Sequence, residues 1–134
     1  MSITNPDWQY LNDFKRRYIK PLPGRHVHYN ELKLPHRLKQ GWTHKTVETT
    51  IRVCMWFYKQ GYIFATEVPM IGSMRRADII VPEFFEAQVI EIHDTESPHS
   101  IEDKRREYEN AGLTFLALPA NPEEAIFILN KKFK

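Results

Sequence analysis

Two carboxylates and an imidazole lie on two short apolar segments in the middle of the chain. Asp78 lies in segment 77–81, and Glu91 and His93 lie in segment 88–93. A short stretch containing a proline separates the segments, which predicts that they are adjacent strands of a hairpin. Because side chains alternate between the two faces of a strand, Glu91 and His93 share one face, and Asp78 can lie opposite them.

These residue types point to a metal site. Burying an ionised carboxylate among isoleucine and valine side chains costs free energy unless something pairs with the charge, and a divalent cation pairs with two carboxylates at once. Asp78 and Glu91 are therefore the candidate ligands. The alternative is that both acids lie at strand ends and pair with Arg75 and Arg76, and that His93 is a hydrogen-bonded core residue.

The composition is that of an ordinary globular protein. The chain has 134 residues, of which 42% are hydrophobic and 27% charged, and this suits one domain with a single core. No apolar run is long enough to cross a membrane, and the charged start does not fit a signal peptide. Cys54 is the only cysteine and can form no internal disulfide. We expect a cytoplasmic, intracellular protein.

The two halves of the chain carry opposite net charge. Residues 1–60 contain eleven Lys/Arg and four Asp/Glu, whereas residues 61–134 contain eight and thirteen. A metal-dependent enzyme acting on a polyanion needs such an arrangement, because the basic part neutralises phosphates and the acidic part holds cations. A solvated basic surface is the alternative.

Hydrophobic periodicity predicts a mixed α/β sandwich. From residue 43 the predicted order is helix, strand, strand, strand, helix, strand, helix. The first three strands form a meander, and a helix joins the third to the fourth, so those two strands are expected to be parallel. The predicted N-terminal caps are Asn5, for a helix before residue 43, and Thr43, Ser100 and Asn121 for the three helices after it. The expected buried stripe of the helix that starts after Thr43 is Val47, Ile51, Cys54, Met55 and Tyr58.

The hairpin and the order of the elements resemble the PD-(D/E)XK nuclease superfamily. In that pattern an acid begins the second strand and Glu-x-Lys or Glu-x-Gln ends the third, which matches Asp78 and the run Glu91, Ile92, His93. The resemblance covers residues 44–130 and is closest to nuclease-like domains of bacterial competence proteins and of related archaeal or phage proteins. The flanking sequences RRAD and TES, and the later residues Arg105 and Tyr108, add to the likeness.

The resemblance implies a restriction-endonuclease-like core and a Mg²⁺- or Mn²⁺-dependent endonuclease acting on DNA. Asp78 and Glu91 would bind one or two ions, with the Ile92 carbonyl and waters completing the coordination. A bound water with a lowered pKa would attack the phosphodiester in line. Glu48 matches an acid common on the first helix of the family, and Glu67, on the first strand, is a third candidate acid.

His93 stands where the family has lysine. Lysine supplies a fixed positive charge, whereas histidine near pH 7 is partly neutral and acts as a base or a metal ligand. The family sometimes relocates its lysine, and Lys104 on the following helix is the candidate substitute, with Arg105 as the second choice. A solvated helix charge is the alternative for Lys104.

The basic N-terminal third, residues 1–42, is expected to form an extension that packs on a nuclease-like core, residues 43–134. Its basic and aromatic residues suit phosphate contacts and base stacking, and an irregular solvated loop is the alternative. The expected nucleic-acid contacts are Arg25, Lys33, Arg37, Lys39, Lys45, Arg75 and Arg76.

Two functions are consistent with this pattern. One is a metal-dependent nuclease, structure-specific for junction or branched DNA. The other is a nuclease fold that has lost turnover through the lysine-to-histidine change and binds nucleic acid or a protein partner. A structural interaction protein is a third reading. Because duplex and junction cutters often pair subunits, a homodimer is one of the expected assemblies.

Overall fold

The protein is an α/β fold in which helices flank a four-stranded mixed sheet. The structure, a computed structural model, describes residues 5–24, 27–33, 44–73 and 75–133. Within these residues the helices are α1 (Trp8–Tyr18), α2 (His44–Lys59), α3 (Pro98–Asn110) and α4 (Pro122–Phe133). The strands are β1 (Ala65–Pro69), β2 (Arg76–Ile80), β3 (Val89–His93) and β4 (Phe115–Pro119).

The sheet has the strand order β1-β2-β3-β4. The first three strands are antiparallel neighbours, and β4 runs parallel to β3 because α3 carries the chain back to the start of the sheet. The predicted meander and the parallel fourth strand are therefore confirmed.

Helices cover both faces of the sheet, and each face has its own core. Ile90 and Ile92 pack with residues of α2 and α4, whereas Val89 and Ile80 pack with residues of α1 and α3. Side chains alternate along β3, so Glu91 belongs to the face that carries α1 and α3. This alternation sets which helices can supply partners to the candidate acids.

The predicted buried stripe of α2 is correct at Cys54 and wrong at three of its five positions, and Val47 is half-buried. Ile51, Met55 and Tyr58 are 37%, 39% and 54% exposed, because the helix is rotated to bury the larger surfaces of Trp56 and Phe57. The rotation also buries three threonines. Two of them satisfy their hydroxyls by donating to the carbonyl four residues earlier, at 2.6 and 2.9 Å, which makes their burial tolerable. The buried residues of α2 are Thr46, Thr49, Thr50, Val53, Cys54, Trp56 and Phe57.

Helix α3 starts earlier than the predicted cap at Ser100. The Ser97 side chain accepts a hydrogen bond from the Ser100 N–H at 3.1 Å, and Pro98 occupies the first turn. Proline fits this position because it has no N–H to leave unsatisfied there. The earlier start extends the helix by almost a turn.

Of the other predicted helix caps, the cap of α1 is wrong and the cap of α4 is correct. Asp7, not Asn5, caps α1, since its side chain accepts from the Tyr10 N–H at 3.0 Å. Asn121 caps α4 as predicted, accepting from the Glu124 N–H at 3.0 Å. The predicted cap Thr43 and the predicted boundary between residues 42 and 43 lie outside the described residues.

The segment 27–33 lies along the outer edge of the sheet. The Asn30 N–H donates to the Phe64 carbonyl at 2.6 Å, and the Lys33 N–H donates to the Thr66 hydroxyl at 2.7 Å. These bonds cover backbone and side-chain groups that an edge strand would otherwise expose. Among the described helices, none combines the length and the apolar character that a membrane crossing requires.

The α3 cap gives a direct test of the helix start. Ser97→Ala should lower the free energy of unfolding by about 1 kcal/mol, because it removes the acceptor for the Ser100 N–H. Ser100→Ala is the matched control and should change stability by less than about 0.5 kcal/mol. Urea unfolding followed by circular dichroism measures both, and a larger loss for the Ser100 variant would contradict the observed cap.

Candidate functional site

The carboxyl groups of Asp78 and Glu91 are held side by side by the backbone of two neighbouring strands. The Asp78 N–H donates to Glu91 Oε2 at 2.8 Å, and the Ile92 N–H donates to Asp78 Oδ2 at 2.9 Å. Each acid is thus fixed by a peptide of the opposite strand. One oxygen of each carboxylate is committed to this exchange.

Strand register explains why the two acids meet. The pair Ile79 and Ile90 is in register across β2 and β3, so the next position along the ladder places Asp78 opposite Glu91. Glu91 is 3% exposed, which puts its carboxylate under the α1 and α3 layer. The sequence prediction that the hairpin brings these two residues together agrees with this geometry.

Glu67 lies in the same row of the sheet but does not complete a three-acid group. The register of β1 and β2 places it across from Asp78, and it is buried at 8% exposure. Its φ of 50° is in the left-handed region, which a non-glycine residue adopts at a free-energy cost. Among the described residues no cluster of three or more His, Cys, Asp or Glu side chains is arranged to hold a metal ion.

Lys104 supplies a positive charge beside the acid pair. Its Nζ lies 3.8 Å from Glu91 Oε1 and 2.6 Å from Glu96 Oε2, and its side chain is only 17% exposed. The alternative that Lys104 is a solvated helix charge is therefore wrong. Glu96 is the acid of the TES sequence but was not predicted as a site residue. It pairs with the Lys104 ammonium group next to the acid pair.

Burial raises the pKa of the Glu91 carboxyl well above its ordinary range, and the nearby Asp78 charge raises it further. The hydrogen bond from the Asp78 backbone N–H and the Lys104 charge act in the opposite direction without cancelling these effects. Glu91 therefore retains a proton to higher pH than a solvated glutamate. A like-charge pair of this kind is relieved by a shared proton or by a bound cation.

Tyr108 places a phenolic hydroxyl in the same layer. It is 2% exposed, and within the described part of the chain its hydroxyl oxygen has no hydrogen-bond partner. Burial raises its pKa, and the Glu91 charge adds to that rise, so the group stays a neutral donor. The four-residue spacing from Lys104 puts both side chains on one face of α3, a signal that the sequence already contained.

The remaining basic candidates near the hairpin have partners of their own. Arg75 Nε lies 3.3 Å from Glu107 Oε2 on α3. Arg105, the second choice for a relocated lysine, pairs with Glu102 at 3.4 Å and lies over the Phe115 ring. Lys104 is thus better placed than Arg105 to act on the acid pair.

The other predicted residues are spread more widely. His93 is half-buried at the end of β3, on the same strand face as Glu91, and its carbonyl accepts the Ala120 N–H at 2.8 Å. Glu48 is exposed on α2, which packs on the opposite face of the sheet. Lys45 is exposed on the same helix, Lys33 lies at the β1 edge, and Arg76 is half-buried at the start of β2. Arg25, Arg37 and Lys39 lie outside the described residues.

The donor set fits a Mg²⁺ or Mn²⁺ ion held by two carboxylates. Mg²⁺ in proteins is usually bound through one or two carboxylates, with waters and substrate phosphates supplying the other oxygens. Asp78 and Glu91 offer that number. The Tyr108 hydroxyl, which has no partner among the described residues, is a donor that a bound water or phosphate oxygen would satisfy. The arrangement does not fit an all-protein cage for a larger ion, nor a zinc site.

The raised pKa of Glu91 predicts a pH-dependent stability difference. Because the folded-state pKa lies above the unfolded value of about 4.3, the free energy of unfolding of the wild type falls as pH rises from about 4 towards the folded pKa. Glu91→Gln keeps an oxygen for the Asp78 N–H but carries no charge. Relative to the wild type, the variant should therefore gain stability as pH rises from 4 to 8.

Thermal unfolding across that pH range measures the difference. Glu102→Gln, at an exposed position on α3, is the control and should show little change in its pH profile. A wild type that gains stability over Glu91→Gln between pH 4 and pH 8 would contradict a raised pKa.

Comparisons with known proteins identify no family for this chain. No protein-family model matches the chain, and no curated protein or solved structure matches it either. The resemblance to the PD-(D/E)XK nucleases therefore rests on the hairpin residues and on the order of the elements.

Proposed function

We propose that the protein is a metal-dependent nuclease that hydrolyses DNA phosphodiester bonds. The observation that supports this most strongly is the pair formed by half-buried Asp78 and buried Glu91, joined by reciprocal backbone hydrogen bonds with Lys104 beside them. Two carboxylates that can hold an ion, with a cation next to them, suit metal-assisted hydrolysis. We further propose that the observed order of helices and strands is that of a restriction-endonuclease-like core.

Asp78 and Glu91 would hold Mg²⁺ or Mn²⁺ through their carboxylate oxygens, with the Ile92 carbonyl as a further ligand. When bound, the ion supplies an activated water and offsets negative charge on the phosphate. Glu91 gives up its proton on binding, so binding strengthens as pH rises. Glu67 is the supporting acid in this proposal because it lies in the same row of the sheet. Glu48, the other predicted supporting acid, is exposed on α2 on the other face of the sheet and is not placed to act there.

Lys104 and Tyr108 act on the substrate rather than on the ion. The Lys104 ammonium group offsets charge that develops on the scissile phosphate, and Glu96 keeps it oriented towards Glu91. The Tyr108 hydroxyl would donate a hydrogen bond to a phosphate or water oxygen beside the acid pair. His93, at the end of β3, accepts or transfers a proton.

DNA is the proposed substrate because Arg75 and Arg76 precede Asp78 at the start of β2, where they can contact phosphates. Arg75 is 42% exposed and lies beside the pair on the approach to β2, and Arg76 follows it. Together with the basic N-terminal third they supply the charge that a phosphate backbone requires. Branched or junction DNA is the proposed structural preference, and pairing of two chains would place two sites on such a substrate.

A second function is favoured by one feature of the same site. The carboxylates of Asp78 and Glu91 are already satisfied by peptide N–H groups, and the high pKa of Glu91 allows the pair to share a proton. Such a pair is stable without a cation. With histidine at position 93, it suits a nuclease fold that binds nucleic acid or a protein partner without turnover.

Cleavage of plasmid and four-way-junction DNA with Mg²⁺ or Mn²⁺ separates the two functions. Asp78→Ala and Glu91→Ala should each abolish cleavage, because either change removes one of two ligands. Glu123→Ala, at an exposed position on α4, is the control and should cleave like the wild type. Thermal unfolding confirms that each variant folds. DNA binding without cleavage at any metal or pH would support the inactive module instead.

The charge next to the acids gives a separate prediction. Lys104→Met should reduce the cleavage rate by about 10²-fold or more, while Lys104→Arg should retain part of it, since the lost group stabilises developing charge. Lys131→Met, exposed on α4, is the matched control. His93→Lys should preserve or raise the rate if the position acts through charge. A large loss in His93→Lys would show a role specific to histidine, and an unchanged rate in Lys104→Met would rule out the relocated lysine.

A further inference from the structure

A groove of about 930 Å³ lies along α1 and the segment that follows it. Its described lining includes the indole of Trp8 and the side-chain amides of Gln9 and Asn12. It also includes three cations, Lys15, Arg16 and Lys20. We propose that this groove binds single-stranded DNA, with Trp8 stacking on a base and the three cations contacting phosphates. The proposal rests on the proposed function, because it adds a substrate-binding site to the same nuclease.

Trp8 is the feature that the fold does not explain. Its side chain is 55% exposed at the start of α1, and it belongs to neither of the two core clusters. Leu11 and Phe14 on the same helix are fully buried, so the indole is not needed to anchor α1. An exposed indole offers a flat surface on which an unpaired base stacks.

The cations of the groove are held in place by other contacts. The Lys20 Nζ donates to the Ser73 carbonyl at 3.2 Å, and the Lys15 Nζ lies 5.2 Å from the centre of the Tyr29 ring. Ordered cations lose less side-chain entropy on binding a phosphate than free ones do. Arg16 pairs with Asp13, the acid among the described lining residues, so the net charge of that lining is positive.

The end of the groove is joined to the turn that precedes β2. The Lys20 N–H donates to the Pro69 carbonyl at 2.8 Å, which ties the end of α1 to the β1–β2 turn. Within that turn the Arg75 N–H donates to the Ser73 hydroxyl at 3.2 Å. Asp78 follows three residues later, roughly 10 Å along the strand. The groove is thus linked through this turn to the strand that carries Asp78.

The lining favours a single strand over a duplex. Bases in a duplex are stacked on one another and offer no open face to one indole, whereas unpaired bases do. The amides of Gln9 and Asn12 lie between the indole and the cations along α1, where they can bond the edges of an unpaired base. Single-stranded DNA supplies both the free face and the phosphate charge that the groove requires.

Fluorescence anisotropy of a labelled oligothymidine tests the proposal without cleavage. Trp8→Ala should weaken binding about fivefold or more, because it removes one base-stacking surface. Phe127→Ala is the matched control, since that aromatic is 62% exposed on α4, in the layer on the other face of the sheet, and should leave binding unchanged. Asp13→Asn should tighten binding, because it removes the negative charge that pairs with Arg16. Arg16→Ala should lower the salt slope of log K by about 0.7.

Equal effects of Trp8→Ala and Phe127→Ala would overturn the proposal, as would duplex binding tighter than oligothymidine binding. Asp78→Asn separates this site from the nuclease centre. If Asp78→Asn binds oligothymidine like the wild type and Trp8→Ala does not, the groove stands even in a protein that never cleaves DNA. If the wild type cleaves DNA but oligothymidine binding is unaffected by Trp8→Ala, the groove proposal fails and the nuclease proposal stands.

Discussion

Two hydrogen bonds between neighbouring strands hold the candidate site together. In each of them a peptide N–H of one strand donates to a carboxylate of the other, so Asp78 and Glu91 are fixed by backbone rather than by flexible side chains. Backbone donors are rigid, and they hold the two carboxyl groups side by side. The consequence is a close acid pair whose repulsion is relieved by a shared proton or by a bound cation.

The surrounding elements follow from that constraint. The β2–β3 register brings the acids opposite each other, and the alternation along β3 turns Glu91 towards α3, where Lys104 and Tyr108 lie one helical turn apart. Glu96 then holds the lysine beside the acids. The acid pair lowers the free energy of unfolding when neither a proton nor a cation neutralises its charge. The two packed cores on either side of the sheet offset that loss of stability.

Much of the fold was predictable from the sequence, and the limits have physical causes. The element order and the meeting of Asp78 with Glu91 follow from period-two patterns with a turn between them. The buried face of α2 was not predictable, because threonines that bond the preceding turn and the bulky Trp56 compete with Ile51 and Met55 for the same core. The contact of Glu96 with Lys104 was not predictable, because Glu96 lies in the loop before α3 and no periodic pattern places its side chain. The positive φ of Glu67 was not predictable either, because no local motif indicates it.

The central claim is that the carboxyl groups of residues 78 and 91 jointly hold one divalent cation. Isothermal titration with Mn²⁺ in two buffers of different ionisation enthalpy measures stoichiometry and proton release together. We expect one strongly bound ion per chain, release of the Glu91 proton on binding, and loss of that binding in Asp78→Asn. Mn²⁺ binding that is absent, or that is equally strong in Asp78→Asn, would contradict the account.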